Sequence, residues 1–176
     1  MKEADSLLRQ PPPAPFKKLY LRSMGNTYSQ IYLHFVFTVK GRQAVIPKQH
    51  KEELHKYITG LVKKRNATLL AVHCMPDHVH LFVGFKPVLS IADFIKEIKV
   101  ESNELIQSKN WTSGKFAWQS GYGVFSYSRS QIDSVIRYIN NQETHHRKQT
   151  FRTEYLELLK KFEVDFDEKY LFEFLD

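Results

Sequence analysis

The chain has 176 residues, of which 42% are apolar, 14% aromatic and 26% charged, enough for one domain with extensions and too few for two domains with full cores. That balance excludes a disordered, collagenous or coiled-coil chain, and the single cysteine, Cys74, excludes both an intramolecular disulfide framework and a Cys-rich zinc site. Of the net +7 charge, residues 24–150 hold 17 basic against 9 acidic groups, net +8, and residues 151–176 hold 4 against 8, net −4, so a basic body that suits a polyanion precedes an acidic tail.

Residues 1–23 include Pro11, Pro12, Pro13 and Pro15 and no periodic apolar pattern, which reads as an extended or disordered leader; Met24 is an alternative start. No stretch approaches the roughly 20 apolar residues of a membrane span, and Met1 to Arg22 lack a secretory apolar run, so the expected location is cytoplasmic. Tyr28 to Val39, dense in aromatic and β-branched residues, predicts a strand. Pro47 opens a helix to about Asn66, with Leu54, Ile58, Leu61 and Val62 as its apolar stripe. Thr68 to Met75 and His78 to Phe85 predict a hairpin about the Pro76-Asp77 turn.

Ser90 with Asp93 caps a helix reaching Ser108. A segment from Trp111 to Tyr127 holds one or two short strands and the hinge-like, or merely turn-like, Gly121-Tyr122-Gly123. Ser130 with Asp133 caps a helix to about Thr144 whose stripe is Ile132, Val135, Ile136 and Ile139. The acidic tail, 151–176, reads as a helix plus a docked terminal segment. This order predicts an α+β fold, a mainly antiparallel sheet with helices packed on one face.

The sharpest local feature is Met75-Pro76-Asp77-His78-Val79-His80-Leu81. Strand period two aims the imidazoles of His78 and His80 to one face while Val79, Leu81 and Val83 face the core. Either the pair ligates a metal, needing a third ligand from elsewhere and leaving positions open, or one ring is a satisfied sheet residue and the other is exposed. On the last capped helix Tyr138 and Gln142 stand one turn apart, flanking the apolar stripe, and can face a common cleft. Alternatively Tyr138 packs at the core edge and Gln142 is a surface amide. The pair His145-His146 reads as decoration of a helix end, and His73 and Cys74 as core-strand residues.

Met-Pro-Asp-His-Val-His-Leu resembles the His-hydrophobe-His signature of single-strand DNA nucleases, and in this wording is similar to the small single-tyrosine transposases of insertion sequences, the IS200-like family. Further matches are Tyr32-Leu33-His34-Phe35-Val36-Phe37, Phe116-Ala117-Trp118-Gln119-Ser120-Gly121-Tyr122-Gly123 and Tyr138-Ile139-Asn140-Asn141-Gln142. The resemblance implies a ferredoxin-like or RRM-like catalytic domain over residues 24–150. It implies that His78, His80 and Gln142 bind a divalent metal, Mg²⁺ or Mn²⁺, and that Tyr138 attacks a phosphate of single-stranded DNA to give a 5′-phosphotyrosine.

The implied partners are hairpin-marked element ends and a second copy of the chain, with the tyrosine helix acting in trans. For DNA contacts Lys40 and Arg42 rank first because they lie beside the first strand. Arg129, Arg137, Arg147 and Lys148 follow, whereas Lys63-Lys64-Arg65 suits a solvated helix end. A domesticated nuclease of repeat hairpins and a catalytically silent DNA-binding module are the alternatives. The leader and the acidic tail fall outside the family's motifs, and the tail is expected to cover a sheet edge, brace a dimer or compete with DNA.

Overall fold

Two central strands organise the chain, β1 (Ile31–Thr38) and β3 (His78–Phe85), paired antiparallel so that Val36 lies opposite His80 and His34 opposite Phe82. The computed structural model describes residues 28–41, 46–167, 169 and 171–172. The expected leader and Arg42 lie outside the described residues. Strand β2 (Thr68–Cys74) forms the expected hairpin with β3, and β4 (Gly123–Tyr127) adds to the other side of β1, giving an antiparallel sheet of order β2-β3-β1-β4. The fold class is α+β, as the element order predicts. Among the described residues no helix is long and apolar enough to cross a membrane.

Alternation along the strands divides the side chains between two faces. Leu33, Phe35 and Phe37 join Val79, Leu81 and Val83 beneath helices α1 (Lys51–Lys64) and α2 (Ile91–Ser108), whose Leu54, Ile58, Ile95 and Ile98 are fully or almost fully buried. Each such burial contributes about 1.5–3 kcal/mol, so this face is the main core. Ser90 caps α2 through the Asp93 N–H, as its spacing predicts.

Helices cover the second face as well as the one expected, and these come from the C-terminal part of the chain. Helix α3 (Ile132–Asn140) sets Ile132, Val135 and Ile139 against Tyr32, Ala71 and Phe82, while α5 (Phe151–Lys161) sets Phe151, Tyr155, Leu158 and Leu159 against Val36 and Phe125. The two apolar patches leave a polar gap between them. His34, Thr38, His78 and His80 share this face with Val36 and Phe82 and are themselves buried.

Two local expectations need correction. The cap ahead of α3 is Ser128 with Gln131, a reciprocal capping box around the turn Arg129–Gln131, and not Ser130 with Asp133. The Gln131 side chain accepts from the Ser128 N–H, which an aspartate two residues further on does not do here. The helix also stops at Asn140 instead of Thr144; the chain resumes as the single turn α4 (Gln142–His145).

The Gly121 to Gly123 segment is tethered. The Lys99 ammonium donates to the carbonyls of Gln119 at 2.6 Å and Gly121 at 2.7 Å, and burial lowers that lysine to about 8.

Candidate functional site

The polar gap is built from three directions. Strand β3 supplies His78 and His80, whose rings stand 5.0 Å apart. Asp77, the turn residue, faces His78 Nδ1 at 2.7 Å, which fixes Nδ1–H as the donor and turns the Nε2 lone pair into the gap. Burial lowers the His78 imidazole to about 4 against the opposing pull of Asp77, so the ring is neutral and able to ligate. His80 Nδ1 meets Nε2 of the buried His34 at 3.0 Å; the tautomer that donates from Nδ1 frees Nε2 in the same way.

Helix α3 brings Tyr138 to this pair within one chain, its ring 6.0 Å from His80 and 6.4 Å from His34. The β2-β3 hairpin and α3, distant in sequence, thus meet in space. The Tyr138 hydroxyl, however, donates a short hydrogen bond to Glu154 on α5, and Gln142 Nε2 donates to the same Glu154 Oε1 at 2.7 Å. Burial and the adjacent carboxylate both push the Tyr138 phenol above its ordinary range, so in this arrangement it is held as a phenol. Burial pushes Glu154 the other way from its neighbours: the rings of His146 and His80 and the Tyr138 hydroxyl prevail, holding it well below the usual carboxylate range.

Glu154 is 1% exposed and lies 3.6 Å from His80 Nε2 and 2.9 Å from His146 Nε2. His146 therefore belongs to the site, correcting its reading as helix-end decoration. A signal for it was present: Tyr138, Gln142 and His146 recur at one-turn spacing. Glu154 also had a signal, since it falls on the apolar stripe formed by Phe151, Tyr155 and Leu158, where a carboxylate needs partners.

Divalent-metal chemistry fits these residues. His78 Nε2, His80 Nε2, His146 Nε2, Gln142 Oε1 and Glu154 Oε2 are buried without hydrogen-bond partners. Such convergence of lone pairs and negative charge, with one ring oriented by a carboxylate behind it, is suited to a cation.

The remaining candidates scatter. Lys40 and Arg137 are exposed and Arg129 half-buried, none of them within the gap, while Lys64 and Arg65 pair with Glu101 and Glu97 on α2, as a helix end would. His73 is buried against Lys51 at 2.9 Å, outside the cluster. Two clefts flank the gap. One of about 270 Å³ runs between α3 and α5 to Tyr138 and Glu154; another of about 230 Å³ is edged by Lys48, Lys51 and Arg147 and reaches His146.

An antiparallel sheet presenting paired histidines to a helix-borne tyrosine is the frame on which the comparisons with known proteins bear. Residues 27–142 match the family described as Transposase IS200 like, and the chain belongs to that family. It is similar to the ISDra2 transposase TnpA of Deinococcus radiodurans, 25% identical over 64% of this chain and 84% of the relative. To the transposase for insertion sequence element IS200 of Salmonella typhimurium it is 22% identical over 69% and 82%.

A crystal structure of a transposase candidate from Deinococcus radiodurans R1 superposes with a TM-score of 0.53 and 26% identity, covering 69% of this chain and 96% of that one. A REP-associated tyrosine transposase bound to a REP hairpin shares the fold, with a TM-score of 0.53 at 14% identity over 70% and 73%. The matched family region ends at Gln142, so His146 and Glu154 both lie beyond it.

Proposed function

We propose that this protein cleaves and rejoins single-stranded DNA at hairpin-marked ends, with Tyr138 as nucleophile and His78, His80 and Gln142 as ligands of a divalent cation. The observation that carries this reading is the meeting, in one chain, of the α3 phenol with the two β3 imidazoles in a buried polar gap. Membership of the IS200-like transposases supports it. A neighbour of the same fold bound to a REP hairpin supports a DNA hairpin as the first substrate to try.

In this reading the Tyr138 oxygen bonds to the scissile phosphorus as the bond to the 3′-oxygen breaks, leaving a 5′-phosphotyrosine and a free 3′-hydroxyl. One P–O bond replaces another, so rejoining to another 3′-hydroxyl needs no nucleotide hydrolysis. The bound cation, Mg²⁺ or Mn²⁺, supplies Lewis-acid polarisation of the phosphate. Asp77 and His34 hold the two ligand rings in orientation from behind. Lys40, Arg129 and Arg137, with Arg42, are the cations offered to the DNA backbone.

The test is covalent. Hairpin single-stranded DNA with Mg²⁺ or Mn²⁺ gives an adduct that survives denaturation, absent in Tyr138→Phe and lost in His78→Ala and His80→Ala. Persistence of the adduct in Tyr138→Phe removes the nucleophile. Binding of the hairpin without any adduct favours a silent DNA-binding module.

A further inference from the structure

Glu154 and His146 are not needed by the ligand set above, yet the fold carries both into the same gap. The ligating atoms of His78, His80, His146 and Glu154 all lie within 4.8 Å of one another. They come from three separate elements: β3, the residue that closes α4, and α5. Nε2 of each of the three histidines and Oε2 of Glu154 lack a hydrogen-bond partner, and even the 2.9 Å approach of His146 to Glu154 is not aligned as a hydrogen bond. Buried polar atoms are as a rule satisfied. A proton can join only one pair of them, whereas a cation satisfies three imidazole lone pairs and a carboxylate together.

We propose that, while α5 is docked, the cation held by His78 and His80 takes His146 and Glu154 as its third and fourth ligands. This rests on the reading that the histidine pair binds a divalent metal. The docked form is then a closed four-ligand shell, three imidazole nitrogens and one carboxylate, which suits Zn²⁺ or Co²⁺ better than Mg²⁺. Gln142 Nε2 donates to Glu154 Oε1 and so orients the carboxylate toward the histidines. Opening the shell for a substrate phosphate requires Glu154 to leave, and with it α5.

Co²⁺ titration of the full chain without DNA tests the shell, since four-coordinate Co²⁺ absorbs visible light far more strongly than six-coordinate Co²⁺. Wild type gives the intense four-coordinate spectrum. His146→Ala and Glu154→Gln each lose it and weaken affinity by about tenfold or more. Wild-type spectrum and affinity in both His146→Ala and Glu154→Gln, with binding abolished by His78→Ala, overturn the shell and leave the histidine-pair reading standing. Unchanged binding in His78→Ala removes both.

A second measurement needs no variant. Zn²⁺ should slow hydrogen exchange of the α5 amides in wild type by about tenfold or more at saturation, because a ligand that bridges the sheet to α5 stabilises the docked helix. Exchange in α5 that ignores Zn²⁺ overturns the proposal.

Discussion

Glu154 stands between Tyr138 and the histidine pair, accepting the phenolic hydrogen bond on the same oxygen that lies 3.6 Å from His80 Nε2. A phosphate attacked by Tyr138 while polarised beside His80 has to occupy that same place. The tail thus puts an anion where the proposed substrate's anion belongs.

Glu154→Gln should therefore raise adduct formation. Two unit charges about 4 Å apart repel by about 4 kcal/mol at the effective dielectric of a partly buried site, and about a third of that is a tenfold change. The expected gain in hairpin cleavage rate is about tenfold, read in single-turnover reactions at Mg²⁺ or Mn²⁺ concentrations that saturate the variant as well as wild type. A fall of similar size instead would make the carboxylate an acceptor of the phenolic proton.

The arrangement of α3 against the sheet also bears on which subunit supplies the nucleophile. Tyr138 reaches His80 of its own chain, and the Gln119 to Gly121 segment ahead of β4 is pinned by Lys99. Mixing His78→Ala chains with Tyr138→Phe chains is expected to give no more adduct than either alone. Recovery of activity on mixing would put the tyrosine in trans, as the family resemblance implies.

Much of this site could be read from residue spacing, because local period decides which side chains share a face. His78 and His80 follow from strand alternation, and Tyr138 with Gln142 from the helical turn. The convergence of those segments was supplied by the family motif and not by periodicity. His146 continues the Tyr138 and Gln142 series, but the break at Asn141 obscures the series in the sequence. Glu154 was harder still: a carboxylate on an apolar stripe announces a buried partner without saying which, and only the docking of α5 against Val36 and Phe125 identifies it. The four-stranded sheet was legible for the same local reasons, whereas covering of the second face depends on where the tail packs.

That packing is tight at Gly123, the first residue of β4. A Cβ there would sit 2.9 Å from Tyr155 Cε2 and 3.1 Å from Phe125 Cε2. Tyr155 in turn packs on Phe172 at 4.7 Å, so the ring has little room to retreat. Gly123→Ala is expected to cost about 1–3 kcal/mol by overpacking, lowering the melting temperature by about 3–10 °C for a chain of this size. Adding Tyr155→Leu should recover part of the loss. A double variant no better than the sum of the singles would separate Gly123 from the docking of α5.

The pH dependence of stability is set partly by two histidines outside the cluster of His78, His80, His146 and Glu154. His73 Nε2 faces the Lys51 ammonium at 2.9 Å, and His55 Nε2 accepts from the Cys74 N–H at 2.8 Å, so protonation of either ring destroys the contact it makes. Lys51 is itself paired with Glu143 at 2.6 Å, which keeps its charge in place. Burial first, then Lys51, lowers His73 to about 4 and also lowers His55. In the unfolded chain His73 titrates near 6.5, so between pH 6.5 and 4 the unfolded state binds the proton that the folded state refuses. The stability that the neutral ring provides is complete above the unfolded value and is lost as pH falls through this window. His73→Gln keeps an acceptor for Lys51 and removes the titration. Its denaturation midpoint should fall less between pH 7 and pH 5 than that of wild type, and equal losses in the two proteins would show that His73 carries its proton in the folded chain.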